Sequence, residues 1–560
     1  LFRHEIVTGP LRTPAIAASR EIRASQQKEN SVKIRGKMWL MVSVCAIAIM
    51  SSSSAMAQSA AELLQRLEAL EARLETMQER ASTDRTRLST VEQSYNSAVW
   101  TFDNGRPAFA SGDGRFTFAI RTRFQTDFAS FSQDDNFAPT FAGPRDLSTG
   151  VVMRRAYIGV EGRAYRDFQY NFRLNIGGSD GGLGSGGAVP AGAATGTEGD
   201  GILNQAFISY VGIPNWNFTI GVLEPTMGGE GSTSSGNLMF IERPEINNIS
   251  SETFGGSDSR RGIQIGYSKT DALWAGDNLN IIAVFSGART GQAAGHGNGG
   301  DEQSQAYLRV SQRLWSDGPS NFQIGTTLGT VLYSGNAAGG GSQSLRFRDR
   351  SQVRVDGTRL IDTGNIAAKT GDLMSFDMGF NYENFFVGGE WSRFSADRQC
   401  GTVTAAGNAL CLTNTSVIDR PAFDGFYVEG SWILTGESRA YVPSSVTNEA
   451  GGWGSPVPAR PFSLDGDSFG AWEVVARFSS IDLNWRQTQT AVTTGTAQRL
   501  AGILGGKQDI VDIGLNWYLN RNVRLMTHFS WVSVEKGIVS NLGRDSQDFN
   551  VWATRLQFNT

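Results

Sequence analysis

Arginines recur on the polar face of alternating segments of this chain: Arg121 and Arg123 in RFTFAIRTRFQTDF, Arg309 and Arg313 in AYLRVSQRL, and Arg173, Arg477, Arg524 and Arg555 singly. A guanidinium is permanently charged and presents a planar fork of donors, so several on one wall would hold phosphate or other oxyanions bidentately. The positive charge is almost all of this kind, because only seven of the 50 basic residues are lysine. The competing use is structural. Asp127, Asp377, Glu429, Glu473 and Asp512 alternate onto the same face and would pair with these arginines, stiffening the wall instead of meeting a solute.

The elements that carry the arginines are short and alternating. In DFQYNFRLNIGG, Phe168, Tyr170, Phe172, Leu174 and Ile176 occupy every second position, with Gln169, Asn171, Arg173 and Asn175 between them. An extended strand then has one apolar and one polar face. The same period of two runs through QAFISY, WNFTIGV, RGIQIGY, FQIGTTLGTVL, LMSFDMGFNY, GFYVEGSWIL, WEVVARFS, DIVDIGLNWYL, VRLMTHFSW and VWATRLQF, and with neighbouring runs gives about sixteen strands. Short joints such as YRD, GIPN and YEN alternate with long Gly-rich loops such as 179–201, 224–258 and 333–371. That alternation fits a transmembrane antiparallel β-barrel of about 16 strands, with lipid on the apolar face and water on the polar one. The joint from Gly436 to Ser468 is long where a short turn is due, so the count could shift by two there. With 67 Gly, 32 Phe, 19% charged residues and a mean hydropathy of -0.25, the chain resembles neither a disordered acidic polymer nor a helical membrane protein. Trp216, Trp391, Trp517 and Tyr518 lie near strand ends, where interfacial aromatic girdles form.

The N-terminal part has a different pattern. Residues 1–57 read as an upstream extension outside the true start, followed by a secretory signal: Lys33, Arg35 and Lys37, an apolar run, then AMA before Gln58. Residues 58–95 keep a heptad, with Ala60, Leu67, Leu74, Ala81 and Leu88 on one position and Leu63, Leu70, Met77, Asp84 and Val91 on the other. About five heptads predict a coiled coil in the periplasm, which requires further copies to cover its stripe. Residues 96–114 read as a linker and 115–560 as the barrel. Cys400 and Cys411, ten residues apart in a polar loop of an exported chain, are candidates for a disulfide. No metal or cofactor signature is present, and His296 and His528 lack the nucleophile spacing that a hydrolytic barrel needs, so no enzyme and no cofactor are expected.

The stretches RRAYIGVEGRAYRDFQYNFRL, GVLEPTMGGEGSTSSGNLMFIERP, GFYVEGSWILTGESRAY, GAWEVVARFSSIDL and GLNWYLNRNVRLM are similar to those of the phosphate-selective porin O and P family of Gram-negative outer membranes. The resemblance implies a sixteen-stranded, homotrimeric channel whose third long loop folds inward as a constriction. Here that loop is 224–258, carrying Glu224, Glu230, Glu242 and Arg243. Relatives place a lysine and an aromatic beside its proline, where this chain has Leu223 and Thr226. The implied function is passive diffusion of small hydrophilic solutes, anions such as phosphate or pyrophosphate, in a wall that meets outer-membrane lipid and lipopolysaccharide and no nucleic acid. A different use of the same parts is an anchor or adhesin whose heptad helix reaches peptidoglycan, with little transport. Barrel-assembly machinery usually reads a final aromatic, and here Phe558 stands two places before the end: either it serves from there or the last residues are an extension.

Overall fold

In a computed structural model, the structure describes residues 56–97, 99–103, 105–133, 146–177, 203–290, 301–335, 343–399, 417–444, 450–488, 492–494, 497–499, 501–537 and 544–560. The signal region, Cys400, Cys411 and His296 lie outside the described residues.

Helix α1, Met56–Asn96, forms a unit of its own. Its heptad leucines Leu67, Leu70, Leu74 and Leu88 are all exposed in the single chain, as an unpartnered stripe must be.

The second unit is a closed antiparallel barrel of sixteen strands. They are β1 Thr117–Ser132, β2 Gly150–Ala164, β3 Phe168–Asn175, β4 Leu203–Tyr210, β5 Trp216–Leu223, β6 Arg260–Thr270, β7 Asn278–Arg289 and β8 Ser304–Asp317. The second half comprises β9 Ser320–Tyr333, β10 Ile366–Tyr382, β11 Phe385–Gln399, β12 Ala422–Ile433, β13 Ala471–Trp485, β14 Ile503–Tyr518, β15 Val523–Gly537 and β16 Arg544–Asn559. Each strand pairs with the next, and β16 closes on β1 from Asn550↔Ser132 to Asn559↔Arg123. The chain end takes part in closure: the Thr560 amide donates to the Thr122 carbonyl at 3.0 Å, and Phe558 stacks on Phe124.

Alternation decides the faces. On β3 the side chains of Phe168 and Phe172 are exposed on the outside while Asn171, Arg173 and Asn175 are buried inside. The same holds around the barrel, with Ile220, Met374, Val428 and Trp552 outward. Tyr518 departs from the girdle expectation: it faces inward, 2% exposed, with its hydroxyl donating to Glu473 at 2.7 Å.

Two segments read as connections are structured. Residues 96–114, expected to be a linker, contain a hairpin, Val99–Asp103 with Arg106–Ala110, and its second strand pairs with β1 from Ala108↔Ala119 to Ala110↔Thr117. The long joint between β12 and β13 turns into the barrel as a two-stranded ribbon, Tyr441–Val442 with Gly452–Trp453, and leaves the count of sixteen intact. A wholly hydrophilic bore was expected from the inward Arg, Asn, Gln and Ser. Instead, Phe394 and Phe423 also face inward and pack with Phe254, Phe347, Leu360 and Ile361 from two long loops into an apolar core inside the barrel. That half of the interior is solid.

Candidate functional site

The loop after β5 supplies most of this filling. Its short helix Gly228–Gly231 lies against β9 to β11, where the Gly228 amide donates to Thr327 Oγ1 at 3.2 Å and the Gly229 amide to Glu390 Oε2 at 3.1 Å. Gly228 has φ 71°, and a Cβ there would sit 2.0 Å from Glu390 Oε1, so only glycine permits the contact. Further along, the carbonyls of Leu238 and Met239 accept from Arg524 at 2.8 Å and Asn516 at 2.9 Å. Phe240 packs edge-on to His528 and beneath the Arg477 guanidinium, 4.0 Å from the ring centre. The loop therefore leans on β9 to β15.

Behind it, most inward carboxylates of that side are met by guanidiniums, while Glu390 accepts from Ser375 at 2.7 Å and Asn247 at 3.3 Å. Arg309 grips Asp377 with two bonds of 2.6 and 3.1 Å, Arg477 lies 3.1 Å from Asp512 and 3.9 Å from Glu429, and Arg439 holds Glu473 at 2.6 Å. Asp127 on β1 is gripped by Arg555 at 2.6 and 2.7 Å. Arg524 donates to Gln557 at 2.9 Å, and Arg313 lies over Tyr441 and donates to Asn321. His528 bonds Asn516 Oδ1 at 3.0 Å, a plain interior hydrogen bond.

On the other side Arg123, Gln125, Arg154 and Arg173 bridge β1 to β3 to the loop, and open space remains between these bridges and along β4. Two polar cavities of about 80 and 60 Å³ lie end to end there and share Arg155, Tyr157, Glu224, Arg243 and Ser257 as their common rim. Since one water needs roughly 10–15 Å³, each has room for several waters. The linings contain Arg121, Arg123, Arg154, Arg155, Arg173, Arg243, Arg289, Arg354 and Arg359 against only Glu224, Glu242, Glu252 and Asp258.

Of the eight arginines singled out in the sequence, Arg121, Arg123 and Arg173 line these cavities, and Arg309, Arg313, Arg477, Arg524 and Arg555 do not. Arg121 bonds Glu161 at 3.0 Å. Arg123 donates to Asn559 Oδ1 at 2.9 Å and to the hydroxyls of Ser235 and Ser234 at 2.6 and 3.2 Å. Arg173 meets Glu224 at 2.6 Å and lies over Tyr157, 4.5 Å from its ring centre.

Of the loop residues, Glu224 also accepts from Asn204 at 2.8 Å and Gln205 at 2.9 Å. Glu230 is buried beside Arg243, whose guanidinium ties the Glu230 and Thr233 carbonyls at 3.2 and 2.6 Å. Glu242 is the hub: Arg154 and Arg555 reach it at 2.6 and 2.8 Å, and Arg155 and Arg354 at 3.8 Å. Burial pushes its carboxyl up, but the four guanidiniums outweigh that and hold it well below the usual carboxylate range.

Arg154 and Arg155 escaped the period-two reading because strict alternation cannot turn both inward. A β-bulge does so: Gln125 pairs with Arg155 and Thr126 with Met153, leaving Arg154 as the extra residue. The Arg-Arg dipeptide that opens RRAYIGVEG was the available signal. Arg354 and Arg359 come from the loop between β9 and β10, whose inward course no local pattern announces.

That second loop contains a pH-sensitive contact. Asp349 is buried against Glu245, Arg350, Arg359 and Asn248, which donates to it at 3.0 Å. Burial, reinforced by Glu245, raises its carboxyl to about 7. A raised carboxyl favours the docked loop while protonated, and the benefit is lost as pH climbs through that value. Hydrogen exchange of residues 343–362, corrected for intrinsic rates, should therefore quicken between pH 6 and pH 8, and Asp349→Asn should flatten the change.

A closed barrel with an apolar exterior and a polar passage narrowed by an inward loop is the build of a porin-type outer-membrane channel. Residues 118–560 match the family Phosphate-selective porin O and P, and the chain belongs to it. It is 25% identical over 459 residues to Porin O of Pseudomonas aeruginosa, covering 80% of this chain and 90% of that one. Among solved structures, an anion-selective porin from Comamonas acidovorans superposes with TM-score 0.41 at 12% identity, over 79% of this chain and all of the other. The outer membrane channel DcaP of Acinetobacter baumannii gives TM-score 0.40 at 10% identity, over 79% and 97%. The protein is an outer-membrane porin rather than an enzyme.

Proposed function

We propose that this porin passes small anions of the phosphate and pyrophosphate class along the wall formed by β1 to β4. The observation that carries this reading is the lean of the loop. By covering the carboxylates of β10 to β14, it leaves a passage in which guanidiniums outnumber acids at the common rim and along both cavities. An oxyanion there exchanges water for forked donors at successive arginines, while a cation meets like charge. Selectivity comes from fixed charge and width, and Arg121, Arg123, Arg155, Arg173 and Arg243 carry it, with Glu224 and Glu242 setting the arginines' positions.

The same reading makes the channel a homotrimer among outer-membrane lipid and lipopolysaccharide, with the exposed heptad face of α1 covered by its copies in the periplasm, within reach of peptidoglycan. Purified protein in a planar bilayer under a salt gradient tests the transport part: the reversal potential should have the sign for anions with chloride, phosphate and pyrophosphate. A cation-signed potential overturns the selectivity, and a silent bilayer favours the anchor role instead.

A further inference from the structure

Two segments far apart in sequence leave large apolar side chains bare at the short-turn rim of the barrel. In the N-terminal hairpin, Trp100 and Phe102 are 70% and 80% exposed; in the joint before β13, Leu464 and Phe469 are 93% and 66% exposed.

The hairpin prolongs the barrel wall. Trp100 stands opposite Phe109, with ring centres 5.3 Å apart, and Phe109 stands opposite Phe118 on β1, whose alternation leads to the outward Phe124. On the other face Arg106 pairs with Glu161 in the channel mouth. The hairpin thus has the barrel's own polarity, apolar outside and polar inside.

The second segment lies on the outside of the wall. Trp472 and Trp517 stack 5.1 Å apart and both donate to the Phe469 carbonyl, at 3.2 and 2.8 Å, and Phe462 packs edge-on to Trp517. Two girdle indoles are therefore covered, and Phe469 and Leu464 take the outer position. Its backbone is satisfied locally: Ser463 donates to Ser468 O at 3.0 Å, Gly466 to Ser463 O at 3.3 Å and Gly470 to Ser468 Oγ at 3.3 Å. Both segments flank the same turn between β14 and β15, with Phe462 donating to Leu519 O and Gly105 lying beside Asn522.

We infer that the hairpin and residues 462–470 form one lipid-facing apron, which seats the rim in the glycerol and headgroup layer of the inner, phospholipid leaflet. The inference rests on the porin reading for the presence of a bilayer. Its new content is the partner of this surface: aromatic and leucine side chains continuous with the hydrocarbon-facing wall and level with the girdle favour the phospholipid boundary. The apron also fixes where the chain leaves the membrane, since α1 ends at Asn96 and the hairpin begins at Val99.

The test places a bimane label at Phe102→Cys, Leu464→Cys and, as a control on the mid-barrel exterior, Val428→Cys, in cysteine-free protein reconstituted with brominated phospholipids. Quenching at 102 and 464 should reach about half or more of that at 428, as expected for groups at the interfacial layer. Strong quenching at 428 with solvent-like emission at 102 and 464 overturns the apron while sparing the porin. Contact between labels on different copies at 102 also overturns it, by assigning the surface to a second copy of this chain. No quenching at 428 would mean that the barrel is not in the bilayer and would sink the porin reading itself.

Discussion

Replacing Arg155 and Arg243 together with glutamine lowers the anion-to-cation permeability ratio by roughly two orders of magnitude, since each unit charge some 5 Å from a passing ion in a water-like medium stabilises an anion by about 0.8 kcal/mol and destabilises a cation by the same amount, and every 1.4 kcal/mol is a factor of ten. Both residues lie on the rim shared by the two cavities. Arg243 also ties two carbonyls of its own loop, so Arg155→Gln alone is the cleaner variant, with an expected fall in the ratio of roughly fifteenfold by the same arithmetic. Reversal potentials in a salt gradient measure both. Raising the ionic strength should shrink the difference between variant and parent, because counterions screen a fixed charge facing water. An unchanged ratio in both variants would remove the rim from the selectivity mechanism.

Glu242→Gln should act in two opposite directions at once. Removing the carboxylate leaves Arg154, Arg155, Arg354 and Arg555 facing one another around a neutral amide. Breaking a buried ion pair from one side typically costs about 3–5 kcal/mol, through the charges left uncompensated. The folded barrel should therefore unfold at a markedly lower temperature in detergent. Glu242 is also one of the few acids lining the passage, so channels that do form should prefer anions more strongly than the parent. Stability falls while anion preference rises. A purely structural role for Glu242 would give the first effect without the second.

The strands were legible because a barrel wall between lipid and polar interior leaves a period of two that no other fold sustains sixteen times. Phe168, Phe172, Arg173 and Asn175 sit where that period places them. The loop carrying Glu242 was singled out through its family motif, not through any local pattern. What local pattern could not show is how the interior is filled. Phe394 and Phe423 look like ordinary members of their strands, and nothing nearby says that Phe347, over forty residues before Phe394, will cover them. Glu473 was expected to meet an arginine across the lumen, and its partner, Arg439, arrives on a joint that read as an anomaly in length. The hairpin had its own signal: Asn104-Gly105 between alternating apolar residues is a favoured two-residue turn, masked here by Pro107.

The lopsided seating of the loop separates two duties that a centred constriction would merge. Strands β9 to β15 and the aromatic filling act as a keel, and substitutions there are felt as loss of folding. In the proposed function, strands β1 to β4 act as a track for solute. Protein engineers can accordingly recharge or widen the track by point changes at Arg121, Arg123 and Gln205 while leaving the keel alone.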